Sequence, residues 1–301
     1  MNYYFNNYSE VKKAIPDGLR GTLRKYTLNG LSVLNKVKNI ESYLNKPRIQ
    51  FIYIHHIFQD EEANFEQLLQ KLSINHEFLS YSESVNKILT GTIDRPYICF
   101  SSDDGFKNNL RAAEILNRYN AKACFFVNPF VVESQSFETI RHYCNNRLHF
   151  PPVEFMNWKD IETMQKMGHE IGSHTFNHIN VAQTARDIFV EDCQNTLAIL
   201  NRQCGDTKHF AFPYGRFIHF NEMGRKAVFE AGFQSCASAE RGCHINHHQA
   251  LNIDELCIRR DHLILDWDID HILYFLIKSS QKACSSNNLF PYHRQHHRNK
   301  Q

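Results

Sequence analysis

Two acids stand side by side at Asp103 and Asp104, in the stretch ICFSSDDGF at residues 98–106. Tyr97, Ile98, Cys99 and Phe100 read as a short buried strand, and Ser101 to Gly105 end it. Adjacent carboxylates repel, and burying either one ionised is costly without a partner. Two readings are open at this point. The pair is either a solvated turn, where Asp and Gly are ordinary residues, or a site in which a cation takes one carboxylate and a reaction uses the other. A second chemical pair lies at His174 and His178, in SHTFNH. Imidazoles at i and i+4 can point the same way on a helical turn and bind one ion. One carboxylate with two histidines is an open metal site that leaves room for water and substrate. A third place is FAFPYG, where Pro213, Tyr214 and Gly215 close a strand and offer a backbone N–H.

The elements that must carry these residues alternate. From residue 49, RIQFIYIHHIF, HEFLSYS, RPYICFSS, KACFFVNPF, HEIGSH, HFAFPYG, FQSCASAE and LCIRRDHLI read as strands. Helical patterns lie between most of them: NFEQLLQKLSI, ESVNKILTG ending at Gly91, NLRAAEILNRYN, WKDIETMQKMG, ARDIFVEDCQNTLAILNRQ and FNEMGRKAVFEAG. Such alternation implies a parallel sheet. Seven or so units, with no glycine-rich phosphate loop after the first strand, favour a barrel over a dinucleotide-binding fold. In a barrel the working residues gather at the C-terminal ends of strands, which is where all three motifs fall.

The chain has 301 residues, 42% hydrophobic and 22% charged, a globular composition long enough for one large α/β domain. A formal charge of +2 gives no argument for a nucleic-acid partner. The nine cysteines are scattered without a CxxC pair, and the odd count points to reduced thiols in a cytoplasmic protein. The N-terminal residues lack the apolar stretch of a secretory signal, and no run reaches the roughly 18 apolar residues of a membrane span. Residues 1–48 are polar and basic. Leu19, Leu23, Leu28, Leu31, Leu34 and Val37 have helical spacing there. That segment is either a helix packed on the main domain or a basic amphipathic segment on a membrane surface. The expected organisation is a helical extension over 1–48, the main domain over 49–280 and a basic, His-rich, disordered tail over 281–301.

SSDDG, GHEIGSHTFNH and FAFPYG, together with NLRAAEILNRYNAKACFFV, resemble the motifs of the polysaccharide deacetylase family, the NodB-homology or carbohydrate esterase 4 group. The resemblance covers roughly residues 49–275. It implies a distorted (β/α)7 barrel, a divalent metal ion, usually zinc, and removal of an N- or O-acetyl group from a sugar. It implies that Asp104, His174 and His178 bind the metal and that Asp103 is the general base. It also implies that a backbone N–H, that of Tyr214 beside Pro213, stabilises the oxyanion. His169 belongs to the same wording and is read as structural.

The chain departs from the family pattern in places. Ser102 replaces an aromatic or aliphatic residue and is expected to point away from the metal. Ala211 stands where many members carry the arginine that orients the base. The stretch CIRRDHL offers Arg259 or Arg260 instead, and Arg260 is preferred, by resemblance to poly-N-acetylglucosamine deacetylases that carry the arginine on a later strand. The acid motif, Leu-x-His, is matched by Ile54-His55-His56 on the first strand, as in circularly permuted members. His56 is therefore the expected acid, His55 the second choice and His262 the unpermuted alternative. His55 and His56 are expected to face opposite ways on a strand, so that one enters the site. Asp266 and Trp267 are candidates for the groove wall.

The implied function is hydrolysis of acetyl groups, N-acetyl preferred, from an amino-sugar polysaccharide, oligosaccharide or glycan precursor. Two alternatives are a catalytically degenerate glycan-binding protein and a hydrolase of a non-sugar amide. The expected partner is an acetylated carbohydrate, with peripheral membrane contact through the N-terminal region and cell-envelope association both compatible with the pattern.

Overall fold

The computed structural model describes residues 3–16, 18–37, 40–134, 136–247, 251–281 and 289–291. Nine strands form one sheet: β1 (Arg48–Ile54), β2 (Glu77–Leu79), β3 (Pro96–Ser102), β4 (Ala123–Val127), β5 (Glu170–Ser173), β6 (His209–Ala211), β7 (Ser235–Ala237), β8 (Cys257–Ile258) and β9 (Arg260–His262). Their order is β8-β7-β6-β5-β4-β3-β1-β9, and every pairing between strands is parallel. The two ends of this path are separated in the chain by Arg259 alone, so β8 and β9 are one interrupted strand that joins β7 to β1. The sheet thus comes round on itself as a distorted barrel of seven strand positions. β2 is an addition to it. It pairs Tyr97 to Cys99, the first half of β3, while β4 pairs Phe100 to Ser102.

Strands enclosed by helices must be apolar on both faces, and β1 is buried at every position. One face of the strands fills the barrel with Ile49, Phe51, Cys99, Phe126, Ala211 and Ile258. The other presents Ile52, Ile54, Phe100 and Phe125 to the surrounding helices. The helix Tyr81–Thr90 begins at a Ser80–Glu83 capping box and stops at Gly91, whose φ of 66° is easy only for glycine. Among the described residues, eight cysteines are free and mostly buried.

The strand read in KACFFVNPF stops at Val127, where the sequence pattern extends it to Phe130, and residues 131–157 carry no strand or helix pattern. The structure places helices there at Pro129–Glu133 and Phe137–Tyr143 and a π turn at Cys144–Leu148. A last helix, Ile269–Gln281, also escaped the pattern.

Ahead of the barrel, helices span Tyr8–Ala14 and Gly18–Val37. The leucine stripe is split between two environments: Leu28 is buried, whereas Leu23 and Leu34 are exposed. The side chains of Leu19 and Val37 lie outside those described. The expected tail, residues 281–301, falls mostly outside the described residues. Within it, Leu289 bridges to Leu256 and Phe290 is buried against the barrel. Among the described residues no helix is long and apolar enough to cross a membrane.

Candidate functional site

The register brings Ile54 level with Ser102, Val127 with Ser173, and Tyr53 with His262. The residues following these positions therefore crowd one rim of the barrel. At the end of β3 the chain turns sharply. Asp104 has φ 72° and Gly105 has φ 80°, and the Gly105 N–H donates to the Asp103 carbonyl at 3.0 Å. A Cβ on Gly105 would stand 3.3 Å from the Val127 side chain. This turn sends the two carboxylates to different partners.

Asp103 meets Arg260. Nη1 donates to Oδ1 at 2.7 Å and Nη2 to Oδ2 at 2.8 Å, a bidentate pair. Arg260 is fully buried inside the barrel, where its Nε donates to the Ser238 carbonyl and its plane lies 4.4 Å over Tyr53. Burial alone would raise the Asp103 carboxyl, but the Arg260 charge and hydrogen bonds hold it at about 2. Asp103 is therefore an ionised acceptor at neutral pH. The preference for Arg260 as its partner matches this placement. Arg259 instead lies 5.5 Å from the Phe217 ring.

Asp104 meets the histidines. Its Oδ1 lies 3.6 Å from His174 Nε2 and 3.5 Å from His178 Nε2. One ligand atom from each of the three residues falls within 4.8 Å of the others. Asp104 Oδ1 is buried with no hydrogen-bond partner. Burial and the neighbouring Asp103 charge push this carboxyl well up, and burial pushes both imidazoles down. A divalent cation would answer all three conditions, because it needs an ionised carboxylate and neutral imidazoles. His174 Nδ1 sits 2.7 Å from the Ala211 carbonyl, which accepts only, so the hydrogen is on Nδ1 and the Nε2 lone pair is left for a ligand. The residues present fit such an ion.

The histidines do not share a helical turn, contrary to the sequence expectation. Residues 174–180 form an irregular turn in which Thr175 and His178 have φ of 65° and 47°. Fixed contacts hold it. Asn128 Nδ2 donates to the carbonyls of His174 and Thr175, and the Phe176 N–H donates to Asp192 at 3.2 Å. The two rings end 5.1 Å apart.

These groups lie in a cavity of about 360 Å3. Tyr214 and Gly215 line it, whereas Pro213 is buried and does not. Tyr214 stands 4.7 Å from His178, ring to ring. Its φ is 62°, and its backbone N–H has no acceptor among the described residues. Gly215 follows at φ 64°, where a Cβ would stand 2.2 Å from that of Ala239.

His55 and His56 both line the cavity, correcting the expectation that they face opposite ways. β1 ends at Ile54, so strand alternation no longer governs them. His262 lines it too. His55 Nδ1 and His262 Nε2 are 3.0 Å apart, and both residues are half-buried; desolvation holds His55 down at about 4. His56 differs. Its Nδ1 lies 3.0 Å from Glu61 Oε2, and its ring stacks between Tyr8 and Phe150. Glu61 is buried and also accepts the Phe58 N–H.

Ser102 turns from the ligands and bonds the His55 carbonyl at 3.3 Å. His169 is structural, accepting the Ala123 N–H at 3.1 Å. Asp266 and Trp267 do not line the cavity. Asp266 pairs with Lys12 at 2.8 Å, and Trp267 packs on the outer core beneath Arg24. Sequence reasoning missed Glu61, Tyr8 and the wall formed by Arg147 to Phe150. No local spacing links these residues to the motifs.

Comparison with known proteins agrees with this geometry. The polysaccharide deacetylase family model matches residues 90–235. No curated protein matches the chain. Solved structures with a similar fold include the Streptococcus pyogenes deacetylase PplD in complex with acetate, at 19% identity and TM-score 0.60, with 76% of this chain and 98% of that one covered. IcaB from Ammonifex degensii matches at 16% identity and TM-score 0.61, covering 78% and 98%. A de-N-acetylase from Aggregatibacter actinomycetemcomitans matches at 17% identity and TM-score 0.57, covering 76% and 99%. Residues 90–235, which carry the rim motifs, are thus similar to the polysaccharide deacetylase family, and the barrel has the fold of these solved structures.

Proposed function

We propose that the protein is a metal-dependent hydrolase that removes N-acetyl groups from an amino-sugar-containing glycan. The observation that carries the reading is the division of labour at Asp103 and Asp104: one carboxylate is locked to Arg260, and its neighbour faces two imidazoles. A glycan-binding protein would need neither arrangement. The names of two similar folds, a deacetylase with acetate and a de-N-acetylase, support the same chemistry.

Asp104, His174 and His178 would hold the ion. When bound, a divalent cation such as zinc polarises the acetyl carbonyl and eases deprotonation of water. The remaining work falls to side chains of this chain. Asp103, ionised and aimed by Arg260, accepts the proton of the attacking water. The Tyr214 N–H is free to donate to the oxygen that gains charge, and one such donor contributes about 3 kcal/mol. The carbon–nitrogen bond then breaks. His56 gives a proton to the departing amine from Nε2, while Glu61 takes the Nδ1 hydrogen bond and fixes the ring. Acetate and a free amino sugar result.

The test is acetate release from N-acetylglucosamine oligomers by zinc-loaded protein, with Asp103→Asn as control. The expected result is turnover by the wild type and its loss in Asp103→Asn at unchanged metal content. Oligomer binding with no acetate release would favour the glycan-binding alternative. Turnover of cyclic amides in place of sugars would favour the non-sugar hydrolase.

A further inference from the structure

The helix Gly18–Val37 has two unlike sides. One rests on the barrel. Leu28, Ser32 and Asn35 are buried, Ser32 Oγ donates to the Asp270 carbonyl at 3.2 Å, and Asn29 Oδ1 meets His271 Nε2 at 2.7 Å. The other side is open and apolar. Leu23 is 68% exposed, Tyr26 71%, Val33 60% and Leu34 51%. At 100° per residue these four fall within an arc of about 100°, opposite the packed side. A run of large apolar side chains left open on one helix face marks an interaction surface.

Charge identifies what fits that face. The helix contains Arg20, Arg24, Lys25 and Lys36 and no Asp or Glu, so it carries +4. The whole chain carries +2, which leaves −2 for everything else. An apolar stripe with basic flanks and no acid has the composition of a helix that lies in the plane of an anionic lipid surface. A second copy of the chain suits it less, because joining two such helices brings +8 together. The location also bears on the site. Tyr8, ten residues before the helix begins, lines the catalytic cavity, and Asp60 fixes that turn by accepting the Tyr8 and Ser9 N–H groups.

We propose that the face formed by Leu23, Tyr26, Val33 and Leu34 seats this protein on an anionic membrane surface. On the deacetylase reading above, the acetylated glycan is then one carried at that surface; the membrane contact itself does not depend on that reading.

The full chain is to be sedimented with phosphatidylglycerol vesicles and with phosphatidylcholine vesicles, at low and high salt. Binding to the anionic vesicles is expected, with weak binding to the neutral ones and loss as salt screens the basic flanks. Leu23→Glu with Leu34→Glu is expected to lower the bound fraction at least about tenfold, since each substitution removes a leucine that would enter the lipid surface and adds a repelled charge. Both sites are exposed, so the unfolding midpoint and turnover of a soluble oligomer should stay as in the wild type. Absence of wild-type binding, or equal binding by the double variant, overturns the proposal. So does a wild-type dimer that the double variant splits, with no vesicle binding by either. Vesicle binding without acetate release from any glycan sinks the deacetylase reading and leaves this one standing.

Discussion

Replacing Arg260 with Met tests the core of the site. Arg260 is fully buried, and Asp103 is 4% exposed. In the wild type the pair is complete: two guanidinium hydrogens meet two carboxylate oxygens at 2.7 and 2.8 Å. Met fills the space between Tyr53 and Phe126 but leaves Asp103 buried without its cation. Breaking one side of a buried pair costs about 3–5 kcal/mol, a large part of the roughly 5–15 kcal/mol that holds a domain together. Linkage gives part of that figure directly. The folded Asp103 pKa is lowered from 3.8 to about 2, so the pair contributes stability above pH 3.8 that is lost as pH falls towards 2. The shift corresponds to about 2 kcal/mol at 1.36 kcal/mol per unit. In Arg260→Met the sign reverses, because burial with no cation raises the carboxyl. The acid limb of the pH–rate profile should therefore move up, and turnover at neutral pH should fall. Urea unfolding followed by Trp158 and Trp267 fluorescence measures the stability. Adding Asp103→Asn to Arg260→Met should recover much of the lost stability while leaving the protein inactive, because no unpaired charge remains. A single variant within about 1 kcal/mol of wild type, with an unmoved acid limb, would refute the argument, since the expected penalty is at least three times larger.

Three further outcomes are expected. His174→Ala with His178→Ala should lose stoichiometric metal by elemental analysis, and chelation should inactivate the wild type reversibly; full metal content in that double variant would remove Asp104, His174 and His178 as ligands. Folded His55 and His169 take protons only near pH 4, and His244 only near 3, because burial lowers all three from 6.5. Stability should therefore fall below about pH 6.5, by about 2 kcal/mol for each ring at about pH 5; equal urea midpoints at neutral pH and at about pH 5 would contradict this. His56→Ala should lower kcat by about 10²–10⁴ with little change in KM, and a substrate with an easily expelled leaving group should recover much of the loss, whereas His262→Ala should do far less; the reverse ranking would give His262 the acid role.

Legibility in the sequence followed range. Strand and helix patterns are local, so all nine strands, β8 and β9 as one segment, and most helices of the barrel could be read from apolar runs, caps and glycines. Even Gly91 was readable as a stop, because its left-handed φ is a local need. The candidate metal ligands were readable because Asp104 and His174 follow closely on β3 and β5, so the topology brings them to one rim. The turn at His174 to His178 was not. Its shape is imposed from outside, by Asn128 after β4 and by Asp192 on the helix Arg186–Cys204. The same holds for Glu61, which finds His56 only once the chain has doubled back through a short 3-10 turn. The segment 129–150 hid its helices because they are short, and a π turn breaks the helical period at Cys144.

Barrel closure explains why the acid was the hardest role to assign. In an open sheet, β1 and β9 would lie apart, and a histidine on one could not stand in for a histidine on the other. Here they are neighbours: Tyr53 pairs with Ser101 on one side and His262 on the other. Residues leaving β1 therefore emerge between the aspartate strand and the strand that carries Arg260. A proton donor can be supplied from either end of the chain and reach the same cavity, which is why His55, His56 and His262 all line it. What separates them is the second partner. His55 and His262 occupy each other, 3.0 Å apart, with burial opposing charge on both. His56 has a buried carboxylate on Nδ1 and aromatic rings on both faces, so its orientation is fixed while its other nitrogen remains available. A general acid needs that combination of restraint on one nitrogen and freedom at the other. On the permuted reading, the donor moves from one end of the sequence to the other without moving in the barrel.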